Sequence, residues 1–237
     1  MDHPWLEQVV DAAHRSLMGD VSVREELWGR GVSDEQLVQF RVGCLQELPA
    51  LPPEAGPFVK WYQGGLRGPV FVFPLTTPQG VLGGVQLRNR GQKGYRDYFL
   101  PGITGPVSFG LHHSAASLWA TEAVWLVEGV FDFFPIQRHY SGVVPVLQKA
   151  VQGVLLRYLR RMVRYVWVGF DMDPPGRKSS YLFKRAHLQD FQVEVVVYPQ
   201  IPAPGLGRLT KDPGELWEAR GESAIAEFVH SVTHREF

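Results

Sequence analysis

Cysteine is almost missing from this chain: of 237 residues, Cys44 alone carries a thiol. One thiol excludes a disulfide framework and any zinc ribbon built from this chain by itself. Cys44 therefore reads as a small buried apolar residue. Long hydrophobic runs are missing too; nothing approaches the roughly 20 apolar residues that a membrane span requires. The first residues, Met1-Asp2-His3-Pro4-Trp5, show no basic-then-apolar signal pattern. The expectation is a soluble, cytoplasmic protein without a membrane partner. Net charge is also absent, because 24 Lys+Arg balance 24 Asp+Glu. That balance excludes a generally adhesive polycation. No internal repeat and no low-complexity tract is present.

What the chain does have is uneven charge. Lys60 to Arg96 holds six basic residues and no acid, and Phe133 to Phe170 again holds six and none. Such local fields can bind a polyanion even when the whole molecule is neutral. The chain also changes texture along its length. Its first part reads as helices to about Met18, over Val23 to Trp28 and from Ser33 to about Phe40, where Ser33 and Gln36 spell a capping box. A Pro-rich connector (Pro49 to Pro57) follows. Two strands over Val70–Pro74 and Val81–Leu87 are joined by a turn at Thr77-Pro78-Gln79-Gly80. Gly91 to Gly105 reads as loop-rich. From about Ala123, strands (123–127, 143–147, 165–170, 193–198) alternate with helices (131–140, 151–163, 177–189), and a final helix opens at Pro213. That alternation predicts an α/β fold with a mostly parallel sheet covered on both faces.

Carboxylates gather where those strands end. Val166-Trp167-Val168-Gly169-Phe170 runs into Asp171-Met172-Asp173-Pro174-Pro175-Gly176, and Val124-Trp125-Leu126-Val127 runs into Glu128-Gly129-Val130-Phe131-Asp132. Open α/β sheets bind ligands at the carboxyl ends of their strands. Acids crowded there repel one another, and burial raises their pKa values, unless a cation neutralises them. One or two Mg²⁺ ions are the economical explanation. Asp171 and Asp173, at i and i+2, would share a face of a straight strand, with Gly176 permitting a sharp turn. Asp132 also fits a helix amino terminus, and Asp212 fits an N-cap before Pro213. Arg88, Arg90, Lys93 and Arg96 are interleaved with Gly, Tyr95, Tyr98 and Phe99, a mixture suited to phosphates and unpaired bases. Arg157, Arg160, Arg161 and Arg164 form one face of a helix, which reads most simply as a solvated surface. His112-His113 reads as a surface loop pair, and Trp125 and Trp167 as core.

The spelling Glu128-Gly129-x-x-Asp132 followed by Asp171-x-Asp173-x-x-Gly176 resembles the Toprim domain of bacterial-type primases, topoisomerases and some nucleases. Further segments extend the likeness to the RNA polymerase core of DnaG-type primases. These are Trp28-Gly29-Arg30-Gly31-Val32-Ser33 with Phe40-Arg41-Val42-Gly43, Phe73-Pro74-Leu75, Leu82-Gly83-Gly84 with Arg88, Tyr98-Phe99-Leu100-Pro101, and Lys211-Asp212-Pro213-Gly214-Glu215. The resemblance implies an α+β amino-terminal lobe (1–118), a Toprim lobe (119–237) and an active site between them. It implies Glu128, Asp171 and Asp173 as principal metal ligands with Asp132 and Asp212 supporting. The cofactors would be two Mg²⁺ (or Mn²⁺) ions and no zinc. Arg88 would join a basic ridge, with Arg30, Arg90, Lys93 and Arg96 contacting nucleic acid or nucleotide.

The implied activity is RNA primer synthesis on single-stranded DNA from nucleoside triphosphates. A replicative helicase or a separate zinc-binding protein would be a further partner. Departures from the family pattern are specific. One cysteine leaves no zinc module within these residues, Asp97 stands where the family has Lys, and Gln148-Lys149 replaces Gly-Thr. A phage, plasmid or mobile-element primase, or an excised core, would account for them. If Asp97 leaves a charge missing, Lys93 or Arg96 would have to supply it. A Toprim nuclease and a non-catalytic replication adaptor are the competing readings.

Overall fold

The computed structural model describes residues 3–66, 68–91, 94–147, 151–203, 205 and 207–234, so Lys93 and the Gln148-Lys149 substitution lie outside the described residues. The chain divides into two compact units. One comprises residues 1–28 and 33–110, and the other residues 29–32 and 111–237.

The first unit begins with α1 (Pro4–Gly19). Pro4 sits in its first turn, where no amide hydrogen is missed, and Trp5, Leu6, Val9, Val10, Ala13 and Leu17 recur at helical spacing and are all buried. Asp20 ends this helix and starts α2 (Val21–Gly29), accepting the N–H groups of Ser22 and Val23 at 3.0 and 3.2 Å. In α3 (Asp34–Gln39) the capping box between Ser33 and Gln36 is formed as spelled.

An antiparallel sheet follows, in the order β1 (Gly43–Leu45), β2 (Val70–Thr76), β3 (Leu82–Asn89), β4 (Tyr95–Phe99), with β5 (Ser108–Phe109) also on β2. Val70, Val72, Val85 and Leu87 point to one face, beneath α1 and α4 (Gly56–Gln63), and pack with Trp5, Val9 and Phe58. Phe71 and Phe73 alternate to the other face, where Phe73 meets the Phe109 ring at 5.6 Å.

Two elements of this unit went unread in the sequence. The segment from Gly91 to Gly105 is not all loop, because Tyr95–Phe99 pairs with β3 along its length. The Pro-rich connector turns directly into α4, which its composition concealed. Short edge strands and Pro-initiated helices lack the sustained periodicity that sequence patterns rely on.

The second unit is a four-stranded, fully parallel sheet in the order β7 (Val143–Pro145), β6 (Ala123–Val127), β8 (Tyr165–Gly169), β9 (Gln192–Val195). The α/β reading therefore holds. Helices α5 (Leu111–Thr121), α7 (Gly153–Met162) and α8 (Pro174–His187) cover one face, where Leu118, Leu155, Leu159 and Phe183 pack on Val124, Leu126, Val166 and Val168. On the other face Trp125 meets Phe228 of α9 (Pro213–Thr233), which packs with α6 (Val130–Gln137). Burial on both sides explains why these strands read as unbroken apolar runs. Trp125 and Trp167 are core residues, as expected. His112 and His113 are not in a loop: both sit exposed in the first turn of α5.

The strand order makes the site. From β6 the chain moves outward to β7, then crosses back to add β8 on the opposite side. The connections from the carboxyl ends of β6 and β8 run to opposite sides, to β7 and to β9, so a crevice opens between those ends.

Candidate metal centre

β6 ends at Val127 and β8 at Gly169, so their next residues emerge side by side at this crevice. Glu128 follows β6 directly, is exposed, and its Oε2 accepts the Asp171 N–H at 3.5 Å. Asp132 lies at the third position of α6 and accepts the Gly129 N–H at 2.9 Å. Asp212 is the N-cap of α9 and accepts the Glu215 N–H at 2.8 Å. A backbone bond from Met172 N–H to the Lys211 carbonyl, 2.7 Å, fastens the entry to α9 against the end of β8. These connections bring Asp132, Asp171 and Asp212 together, with one carboxylate oxygen from each lying within 4.8 Å of the other two. This is the group among the described residues whose spacing suits a metal ion.

Asp173 is not one of those three. β8 ends before either Asp, so the two are not neighbours on a straight strand. Asp173 is the N-cap of α8 and accepts the Gly176 N–H at 2.9 Å. Pro174-Pro175-Gly176, expected as a turn, is the first turn of that helix. Gly176 is required for close approach, since a Cβ there would lie 2.3 Å from the Asp171 carbonyl oxygen. The structure thus gathers Asp171 with Asp132 and Asp212, while the Glu128 side chain accepts the Asp171 N–H and Asp173, close enough to raise the Asp171 carboxyl, caps α8.

The electrostatics follow from that crowding. Burial raises the Asp132 carboxyl well above the usual carboxylate range, and Asp212 and Asp171 raise it further. Burial likewise raises Asp171 and Asp212, opposed at Asp171 by Lys211 and at Asp212 by the Glu215 N–H and Lys211. Lys211 is the functional residue that sequence reasoning passed over. Its ammonium bonds Asp171 and reaches Asp212 at 3.2 Å. Although burial opposes its charge, these partners raise its pKa. Its position beside Asp212 was the available signal. Once all three carboxylates ionise, they and one ammonium leave a local charge that a divalent cation would balance.

Beneath the acids lies a second unforeseen residue, Tyr198. It is fully buried, donates to the Gly169 carbonyl at 2.7 Å and receives the Trp125 indole N–H at 3.4 Å. Burial, together with the negative potential of Asp132, Asp212 and Asp171, holds its hydroxyl protonated. A Cβ on Gly169 would lie 2.1 Å from that hydroxyl, so the glycine leaves room for it.

The basic residues divide into different settings. Arg30 belongs to the parallel unit, with its guanidinium 4.8 Å from the centre of the Phe131 ring, next to Asp132. In the antiparallel unit, Arg88 pairs with Tyr95 and Leu87 with Arg96, which puts Arg88 and Arg96 on opposite faces of the sheet. Arg90 is ion-paired with Glu26 at 2.7 Å, and Arg96 stacks on Trp61 at 4.7 Å. Asp97 shares the Arg88 face, where its carboxylate accepts from Gln86 at 2.8 Å. Adjacent Arg96 points away from it.

An α/β unit with a metal-competent acidic edge, joined in one chain to an antiparallel α+β unit, defines the class of protein. No protein-family model and no curated protein matches the sequence. Solved structures do match, among them catalytic cores and RNA polymerase domains of DNA primases. The Aquifex aeolicus primase, comprising zinc-binding and RNA polymerase domains, superposes with a TM-score of 0.71 at 20% identity, over 95% of this chain and 59% of that one. A DNA primase domain from Pseudomonas aeruginosa gives 0.71 at 19% identity, over 98% and 78%. The DnaG primase catalytic domain bound to single-stranded DNA gives 0.70 at 18%, over 96% and 77%. The chain thus has the fold of a DnaG primase catalytic core, and spans about three fifths of the first of these structures.

Proposed function

We propose that this chain is the catalytic core of a DNA primase that polymerises ribonucleotides on single-stranded DNA. The observation that carries the reading is the convergence of Asp132, Asp171 and Asp212 at the sheet's carboxyl edge, within a fold shared with solved primase cores. The similar catalytic domain solved with single-stranded DNA supports the template class. Toprim describes the parallel unit in this reading.

Asp132, Asp171 and Asp212 fit a divalent cation, Mg²⁺ or Mn²⁺, with Glu128 and Asp173 as further carboxylates on the same edge. Bound there, the metal would acidify the attacking 3′-hydroxyl and neutralise charge on departing pyrophosphate. The chain's own groups supply position. The Met172–Lys211 backbone bond holds two acid-bearing loops together, and the Gly129 and Glu215 N–H groups orient Asp132 and Asp212. Lys211 reduces repulsion between Asp171 and Asp212 while they await the cation. Arg88, Arg30 and Lys93 are assigned to phosphates of template or nucleotide, Arg90 and Arg96 to the same task from their ion-paired and stacked positions. A replicative helicase and a separate zinc-binding protein are further partners in this reading.

The test is primer synthesis with single-stranded DNA, labelled nucleoside triphosphates and Mg²⁺ or Mn²⁺. Short products should form, and Asp171→Asn and Glu128→Gln should each reduce them by about 100-fold or more. Shortened template without added triphosphates would instead identify a nuclease. Intact, bound template with no product would identify an adaptor.

A further inference from the structure

The outer face of α8 takes no part in the acidic site. From Pro174 to Gln189 the chain carries Arg177, Lys178, Lys184 and Arg185 and no Asp or Glu. None of these four cations has an ion-pair partner among the described residues. Between them, Tyr181 is 61% exposed and Leu182 55%, and just past them Leu188 is 57% exposed. At about 100° per residue, positions 177, 178, 181, 185 and 188 form one stripe, flanked by 182 and 184. Gly176, Ser180 and Phe183 form the opposite, buried side.

An ordinary solvated helix intersperses acids that offset its cations, and it keeps large apolar groups inward. This stripe does neither. It is also continued by its neighbour. α7 covers the same face of the sheet, and Arg160 bonds Asp190, just beyond α8, at 2.7 Å. Exposed Arg157 and Arg161 of α7 likewise have no ion-pair partner among the described residues. Because α8 starts at the carboxyl edge of the sheet, its charge begins one turn past Asp173 and runs away from the acids.

We propose that the α7–α8 face is a second nucleic-acid surface, taking a single DNA strand as it leaves the acidic edge. The α8 cations would hold its phosphates and Tyr181 would stack on an unpaired base. Arg177/Lys178 and Lys184/Arg185 are about 10 Å apart along the helix, a span of one to two phosphates of an extended strand. Duplex DNA hides its base faces, whereas a single strand offers them to an exposed ring set among cations. The inference rests on the nucleic-acid reading of the acidic site.

The experiment is fluorescence anisotropy of a labelled oligothymidylate with the full chain, in chelator and without triphosphates, over a series of salt concentrations. The double variant K184Q/R185Q should weaken binding several-fold and flatten the log–log salt slope by about 1 to 1.5. Y181A should weaken binding about fivefold or more and leave the slope unchanged. R15Q, an exposed cation on α1, should bind like the parent. Parent-like binding by both α8 variants overturns the proposal, as does an equal loss in R15Q. So does a loss restricted to polyglutamate, which would mark the face as a dock for an acidic protein. A chain that makes no primers but binds DNA through α8 refutes the proposed activity alone. One that makes primers while its α8 variants bind normally refutes this surface alone.

Discussion

Asp132 concentrates the energetic conflict of the acidic edge. Burial and two acidic neighbours raise its carboxyl, so the folded state keeps a proton that the unfolded state has released. A raised carboxyl is neutral in both states below its unfolded pKa. It becomes a growing liability as pH climbs from the usual carboxylate range through the raised value. Metal-free protein should therefore lose stability over that rise. Asp132→Asn keeps an acceptor for the Gly129 N–H and removes the charge. Its thermal midpoint in chelator at neutral pH should exceed the parent's by about 2–4 °C, the equivalent of about 1 kcal/mol in a chain of this size. The gap should close toward pH 4, and calorimetry across pH reads both effects. Lys211 acts in the opposite sense. Lys211→Gln leaves Asp171 and Asp212 without their ammonium, so metal-free stability should fall. Thermal stabilisation should then saturate at a lower Mn²⁺ concentration than in the parent, because no resident cation competes for the acids.

The first turn of α8 shows how an element places an acid. Asp173 caps it, prolines occupy its first positions, and Gly176 lets the helix sit against the Asp171 carbonyl. Gly176→Ala forces a Cβ into that backbone oxygen, where no flexible side chain can yield. A loss of about 1–3 kcal/mol is expected by denaturant titration, together with reduced metal response as Asp171 shifts. Gly56→Ala, in α4 with open space around its would-be Cβ, should instead be neutral or stabilise by up to about 1 kcal/mol. Beneath the site, Tyr198→Phe removes the donor to the Gly169 carbonyl and should cost about 1–3 kcal/mol, the penalty for a buried acceptor left unpaired. The strands that carry the acids were legible because each is a continuous apolar run ended by a carboxylate. The helix start at Pro174 was not, because Pro-Pro-Gly spells a turn equally well when Asp173's capping bond is out of view.

At the scale of the whole chain, a divalent cation that binds the folded acids and not the unfolded chain must stabilise it by mass action, about 2.7 kcal/mol at a hundredfold excess over Kd. Mg²⁺ or Mn²⁺ should raise the melting temperature of the parent and leave Asp171→Asn unmoved, a readout independent of any polymerase assay. The strand–helix alternation from Ala123 onward, the paired strands at Val70 and Val81 and the capping box at Ser33 all lay open in the sequence, because hydrophobic period and cap chemistry are local properties. So did the chemical types at the site, acids after apolar strands and a Lys-Asp-Pro entry to the last helix. Which acids meet was decided by tertiary structure: the reversal of strand order around β6 brings Asp132, Asp171 and Asp212 to one point across the intervening chain. Asp173 is meanwhile held by its helix. The placement of Arg88 and Arg96 on opposite faces was decided by the pairing of β3 with β4, since strand register is set by long-range partners that no local pattern encodes.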